Sequence, residues 1–340
     1  MRVRTTGSFS FMTSSGKQFA DYTIKQSPVI ELPASPEAAG ARVDVVLAAM
    51  LPEYSRSRIQ EWIRQGEVLL DDKPVTSPGQ RMRGGELIRV RVEAHPAELP
   101  SQPQAIGIDV VYEDEWLIVL NKPAGLVVHP GNGNWDGTLL NGLLHHVPAL
   151  AAIPRAGIVH RLDKDTSGLM VVAKTLVAQT ALVRQLQART VKREYLAVVY
   201  GDVTQAGVVD EPLGRHATQR TRMAVQLPGR GKEAVTHYQI ERRLPGHTLL
   251  RCRLETGRTH QIRVHMQHIG YPLVGDPVYH DRRTRKSVCE QAFHRQALHA
   301  VRLGLQHPAT GEAMAWECDP PGDFLDLLRC LSETVDDSVS

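Results

Sequence analysis

Cysteine is scarce in this chain: four residues in 340, Cys252, Cys289, Cys318 and Cys330, with no Cys-x-x-Cys pair among them. That spacing indicates neither a disulfide framework nor a zinc ribbon, so all four are expected to be reduced and structural. No apolar run approaches the length needed to span a bilayer. The first residues carry Arg2 and Arg4 but continue as Thr5-Thr6-Gly7-Ser8, without the apolar stretch of a signal peptide. A soluble, cytoplasmic protein is the expectation. The net charge of +3 is too small to announce a polyanionic partner, so the placement of charge matters more than its sum. Gly-x-x-x-x-Gly-Lys-[Ser/Thr] and a strand-linked Gly-x-Gly-x-x-Gly are both missing, as are internal repeats and low-complexity tracts.

Composition shifts along the chain divide it. Residues 1–40 are polar and punctuated by Ser, Pro and Gly, which predicts a flexible leader, and Met12 is a possible alternative start. From Arg42 the pattern changes, with Val43, Val46, Leu47, Met50 and Leu51 at helical spacing. Ser57-Arg58-Ile59-Gln60 reads as a capping box opening a second helix that ends at Gly66. Strands are predicted at Glu67–Asp71 and Glu86–Val90, closing a module over residues 41–92. Residues 93–107 hold several prolines and no apolar periodicity, as a linker would. Over 108–325 short β-rich runs (Trp116–Leu120, Ile158–Leu162, Leu169–Ala173, Tyr195–Tyr200, Thr236–Ile240, Leu249–Leu254) mix with a few helices, notably Thr175–Gln187. Strands following one another directly make this α+β, and residues 326–340 are expected to be a C-terminal tail.

The chemistry gathers at His160-Arg161-Leu162-Asp163-Lys164-Asp165-Thr166-Ser167-Gly168, between the apolar runs Gly157-Ile158-Val159 and Leu169-Met170-Val171-Val172. A polar turn whose two ends are buried is a stiff platform that can aim an acid. The bland reading is a turn made of good turn residues, with Gly168 at positive φ. A calcium loop is excluded because Lys174 stands where the bidentate acid belongs.

Three further segments accompany this turn: Asn121-Lys122-Pro123-Ala124-Gly125 through His129-Pro130, Arg193-Glu194-Tyr195-Leu196-Ala197, and Glu255-Thr256-Gly257-Arg258-Thr259-His260-Gln261-Ile262-Arg263-Val264-His265. In order and spacing they resemble the RluA/RluD family of RNA pseudouridine synthases, from about Arg42 to about Pro321. Asp210-Glu211-Pro212, Ala234–Tyr238 and Gly275-Asp276-Pro277-Val278-Tyr279 look most like the branch that modifies large-subunit (23S) ribosomal RNA, at the stem-loop called helix 69. The module at 41–92 resembles the S4 RNA-binding domain, with Arg56, Arg58 and Arg64 on its RNA-facing surface and Arg81, Arg83 and Arg89 nearby. The implied catalytic fold is a long mixed, mainly antiparallel sheet with a central cleft. The implied partner is ribosomal RNA or an assembling large subunit, met by a monomer. Other rRNA or tRNA uridines, or a non-catalytic ribosome-assembly role, remain as alternatives.

The resemblance implies roles residue by residue. Asp163, directly after His160-Arg161-Leu162, is the nucleophilic catalyst. Desolvation in a cleft raises an Asp pKa and a nearby Arg opposes it, so a partner is physically required. Arg263 is the candidate, on a helix beginning near Thr259 whose buried stripe is Ile262, Met266 and Ile269. The alternative is that Arg263 binds a phosphate. Tyr195 is the aromatic that stacks on the target base, although a Tyr in a β-rich run is more often core. Arg161, with His160 beside it, resembles the arginine that fills the space left by the extruded base; a structural salt bridge is the plain alternative. Asp165 is assigned to the turn. Arg215, Arg220 and Arg222, in a Gly-bounded basic loop, and Arg258 are candidate RNA contacts. His260, His265 and His268 do not share one helical face, so no metal is expected, and an isomerisation needs no cofactor.

Overall fold

The computed structural model describes residues 29–92, 101–131, 133–219, 222–227, 229–280 and 288–333. The chain divides between Leu99 and Pro100 into two compact units.

The N-terminal unit contains β1 (Val29–Pro33), α1 (Val43–Met50), α2 (Arg56–Gln65), β2 (Val68–Leu70), β3 (Lys73–Pro74) and β4 (Leu87–Arg91). Its sheet runs β1-β4-β2-β3. The helical spacing from Val43 onward delivers Val43, Leu47 and Leu51 to a core shared with Ile59, Trp62, Ile63, Ile88 and Val90. The cap of α2 is Ser55 and not Ser57: the Ser55 hydroxyl accepts from Arg58 N at 3.3 Å. Gly66, at φ 80°, ends the helix as expected. The leader expected over 1–40 is too long, because Val29–Pro33 pairs antiparallel with β4 and buries Ile30 and Ala34. A five-residue strand ending in Pro is too short to show a period against its polar surroundings.

The second unit contains β5 (Val110–Glu113), β6 (Leu117–Lys122), α3 (Leu139–His146), β7 (Ser167–Ala173), α4 (Leu176–Gln187), β8 (Lys192–Tyr200), β9 (Gly207–Asp210), β10 (Leu213–Arg215), β11 (Met223–Val225), β12 (Val235–Leu244), β13 (His247–Leu254), α5 (Gln261–His268), α6 (Val288–Ala292), β14 (Leu298–Gln306), β15 (Ala313–Glu317) and α7 (Gly322–Glu333). A nine-stranded sheet runs β5-β6-β7-β14-β8-β13-β12-β9, with β15 on β14. Its pairs are antiparallel except β7 with β14. Both faces are covered: along β6, Ile118 and Leu120 enter one apolar cluster while Leu117 and Val119 enter another. That is why β6 and β7 read as continuous apolar runs without alternation.

Several expected boundaries shift. Ile158–Leu162 is not a strand; Ile158 makes a single bridge to Val172, after Arg155 and Ala156 at φ 55° and 49° have turned the chain. The linker expected over 93–107 is packed from residue 101 onward, where Gln104 N donates to Asn141 O at 3.0 Å and Ile106 lies against Gly142; residues 93–100 lie outside the described residues. The tail expected from residue 326 begins inside α7, whose Phe324, Leu327, Leu328 and Leu331 follow a helical stripe into a core with Leu196, Val198 and Val274. The cysteines also need correcting. Packing of α6 against α7 brings Cys289 and Cys330, 41 residues apart, to a Cα separation of 5.8 Å, and they are joined as a disulfide. Cys252 and Cys318 are free. Among the described residues no helix is long and apolar enough to cross a membrane.

Candidate active site

The Asp163 turn is held from below by a buried cation. Lys122, at the end of β6 and sealed from solvent, donates from Nζ to the carbonyls of Pro123 (2.6 Å), Leu126 (3.0 Å) and Lys164 (2.9 Å). Burial pulls its pKa down to about 8, against the charges of Asp165 and Asp163. Thr166 N closes the turn on Asp163 O at 3.1 Å, and Arg295 donates to Asp165 O at 3.1 Å. Gly168 leaves at φ 114°, where an added Cβ would lie 2.3 Å from Ala300 O. Only glycine permits β7 to approach β14 this closely. The platform is therefore stiff, and Asp165 belongs to it.

From this platform Asp163 meets α5. Its Oδ2 accepts from Arg263 Nη1 at 3.0 Å. Arg263 is almost fully buried and spends its other edge on Asp276: Nε to Oδ2 at 2.7 Å and Nη2 to Oδ1 at 3.0 Å. Asp276 is fixed in turn by the backbone N–H groups of Val278 (2.8 Å) and Tyr279 (2.9 Å). Burial opposes the Arg263 charge, but its bonds to Asp276 and Asp163 outweigh this and raise its pKa. Burial likewise pushes Asp276 up, and the Arg263 bonds and backbone donors outweigh it and hold the carboxyl below its usual range. The result is an Asp163–Arg263–Asp276 chain of charges. Arg263 is thus a carboxylate partner, and the phosphate alternative fails because its fork is occupied.

A second chain flanks the first. The sealed Tyr279 hydroxyl accepts from Met223 N at 2.8 Å and lies 2.8 Å from His260 Nδ1. This contact occupies Nδ1 and turns the other ring nitrogen, Nε2, toward the Asp163 turn. That nitrogen lies 3.9 Å from Asp163 Oδ1, the oxygen that Arg263 leaves open. Burial lowers the His260 pKa, against the Asp163 charge, and keeps the ring neutral near pH 7. His260 stands at φ 57°, ψ 23°, as the cap of α5, a conformation uncommon for a non-glycine residue. Arg263 and Arg222 lie over the Tyr279 ring at 5.0 and 5.3 Å.

Asp163, Tyr195 and Arg263, called from the sequence, share one cleft of about 920 Å³ with Arg161, His160, Arg258 and His260. Tyr195 is buried on β8, and burial raises its phenol pKa, with Asp163 adding to the shift, so the hydroxyl stays protonated. Arg161 is exposed in the cleft, and Arg258 donates from Nε to Glu233 O at 2.9 Å. His160, expected as an RNA contact, has its Nε2 taken by Val171 N at 3.1 Å, and burial with the Arg193 charge presses its pKa down to about 3, so it is a neutral brace in the cleft wall. Arg222 supports Tyr279 from a half-buried position, Arg215 is exposed on β10, and Arg220 lies outside the described residues.

In the N-terminal unit, Arg64 is exposed. Arg56 is bound to the buried Asp44 at 2.9 Å, Arg58 lies 5.2 Å over the Trp62 ring and pairs with Glu61, and Arg89 pairs with Glu31 and Asp72. Arg81 donates to Gly40 O, and Arg83 is exposed. The three histidines weighed for a metal also part company: His260 caps α5, His265 bonds Thr236 and Glu211 O, and His268 faces solvent. Lys122, Asp276, Tyr279 and His260 were not singled out as site residues; Lys122 and the Gly275–Tyr279 stretch were visible only as marks of resemblance.

The comparisons agree with this geometry. Residues 116–268 match the family model described as RNA pseudouridylate synthase, and residues 41–88 match the S4 domain. "Ribosomal large subunit pseudouridine synthase D" of Escherichia coli (strain K12) is 54% identical over 299 residues, covering 86% of this chain and 91% of that protein. The protein of the same name from Nitrosomonas europaea is 52% identical over 313 residues, covering 92% and 90%. Among solved structures, human RNA pseudouridylate synthase domain containing 1 aligns with a TM-score of 0.52 at 26% identity, covering 65% of this chain and 86% of its own. With its S4 domain followed by this cleft, the chain belongs to the RNA pseudouridine synthase family.

Proposed function

We propose that this enzyme converts uridine to pseudouridine in large-subunit (23S) ribosomal RNA, at the helix 69 stem-loop, with Asp163 as nucleophilic catalyst. The substrate class is carried over from the relatives' name. The observation that carries the catalytic assignment is the division of labour around Asp163: Arg263, anchored by Asp276, fixes Oδ2 and leaves Oδ1 open to the cleft. A carboxylate so held is oriented without being used up.

The reaction breaks the bond from ribose C1′ to N1 of uracil, turns the base and joins C1′ to C5. C5 loses its proton and N1 gains one, so atoms and electrons balance without a cofactor. Extruding the uridine costs a few kcal/mol in stacking and pairing. Tyr195, buried on a strand with only its cleft side available, stacks on the base, and Arg161, exposed in the same cleft, occupies the vacated space. Arg215, Arg222 and Arg258 are the arginines assigned to the RNA backbone, and the S4 module adds sequence-independent affinity. The enzyme acts as a monomer in the cytoplasm, where ribosomal RNA matures.

Pseudouridine mapping of ribosomal RNA from cells with and without the gene tests the substrate. Loss of modification at helix 69 is expected. An unchanged map there, with a loss elsewhere, moves the assignment to another uridine.

A further inference from the structure

Arg193 stands on β8 two residues before Tyr195, so both side chains leave the strand on one face and both line the cleft. It is 6% exposed, and buried arginines are rare unless paired. Among the described residues, no carboxylate lies within ion-pair distance of it. Nη2 donates to Glu255 O at 3.1 Å, and Nε is sealed without a partner. Burial lowers its pKa, with Tyr195 opposing this and the Arg258 charge adding to it, yet a guanidinium remains charged near neutrality. A positive charge is being kept in a poorly solvated place with nothing to balance it.

The backbone makes room for that charge. An added Cβ at Gly257 would lie 2.5 Å from Arg193 Nη1, although Gly257 is not in the left-handed region. A side chain at this position would have to push the guanidinium aside. Arg161, Arg189 and Arg258 line the same cleft, while the Glu255 carboxylate is engaged by His237 at 2.6 Å. An anion with several accepting oxygens, brought by the substrate, completes such a site.

We propose that Arg193 seats one backbone phosphate of the RNA, the one flanking the uridine that stacks on Tyr195, with Gly257 clearing the space. This rests on the placement of the target base at Tyr195. Two residues along a strand span about 7 Å, the scale of one nucleotide.

The test pairs protein variants with RNA in which a single linkage, 5′ or 3′ of the target uridine, is a neutral methylphosphonate. The readouts are binding affinity and single-turnover tritium release from C5-labelled uridine. With wild-type protein, one of the two neutral linkages should weaken binding about 10-fold. Arg193→Gln should lose a similar factor on native RNA, lose nothing more at that linkage, and lower the slope of log K against log salt by about 0.7–0.9. Gly257→Ala, which displaces the guanidinium without removing its charge, should show the same insensitivity and covers the case in which Arg193→Gln does not fold. Losses that multiply at both linkages, or an Arg193→Gln protein with native affinity, overturn the proposal. No tritium release by wild-type protein on native RNA would instead overturn the functional reading beneath it.

Discussion

Each unit of the chain holds an aspartate against arginine, and the two are completed in opposite ways. Asp44, near the start of α1, is sealed from solvent and receives Arg42 at 3.0 Å, Arg56 at 2.9 Å and Gln60 at 2.6 Å. Burial pushes its pKa up, but these donors outweigh it and bring it down to about 2. Every useful lone pair is taken. Asp163 keeps 17% of its side chain exposed, gives one oxygen to Arg263 and leaves the other open beside His260. In the first unit the carboxylate is saturated; in the second its partner is. A saturated carboxylate braces a fold, whereas one whose partner is saturated elsewhere is oriented and still free to react.

The largest effect that tests this contrast is at Asp163. Asp163→Asn keeps shape and hydrogen bonding but removes charge and nucleophilicity, so turnover should fall by at least about 10⁴-fold while RNA affinity stays within a few-fold. Full-rate tritium release by this variant would mean that the wrong carboxylate has been chosen. Equal losses of binding and turnover would make Asp163 a brace like Asp44.

Next in size is Asp276→Asn, which leaves Arg263 attached to Asp163 alone. Releasing the fork should let Arg263 swing and Asp163 with it, at a cost of about 10²-fold in turnover with binding nearly unchanged. Breaking a buried pair also costs stability, about 3–5 kcal/mol, so thermal unfolding must be followed alongside. An Asp276→Asn protein that unfolds earlier yet turns over at the native rate would show Asp276 to be structural only.

Acid separates the two aspartates without mutation. A carboxyl whose folded pKa is depressed contributes stability fully above its usual value of 3.8, and that contribution is lost as pH falls through about 2. For Asp44 the shift corresponds to about 2 kcal/mol. Unfolding monitored by the Trp62 fluorescence of the N-terminal unit should therefore become easier between pH 4 and pH 2. Asp44→Asn should be destabilised at neutral pH and show a flatter acid limb; an unchanged limb would assign acid sensitivity to other groups.

Much of this was legible in the sequence, for physical reasons that also explain the gaps. Long buried strands such as β6 and β8 announced themselves as apolar runs, and Thr175 opened α4 as an N-cap should, accepting from Ala178 N at 3.1 Å. Asp163, Tyr195 and Arg263 were visible through the family resemblance, whose motifs carry them in order along the chain. Asp276 was not, since a buried carboxylate that serves an arginine 13 residues away has no periodic signature. The Cys289–Cys330 pair was invisible for the same reason, as it depends on α6 and α7 meeting in space. Arg56, expected as an RNA contact, holds the buried Asp44, because composition shows a positive charge and hides its partner.

That last point yields the smallest and most discriminating prediction. Arg64 and Arg56 sit on the same helix with the same charge, but Arg64 makes no ion pair among the described residues and Arg56 holds Asp44. Arg64→Gln should leave thermal stability within about 0.5 kcal/mol and, if the arginine neutralises a phosphate, lower the salt slope of RNA binding by about 0.7–0.9. Arg56→Gln should do the reverse, lowering stability by about 1–3 kcal/mol, because a buried carboxylate loses a charged donor, with little change in slope. Identical behaviour of the two variants would erase the distinction between a brace and a contact on this surface. If Arg56→Gln alone changed the slope, Asp44 would be orienting Arg56 for RNA, much as Asp276 orients Arg263 for Asp163.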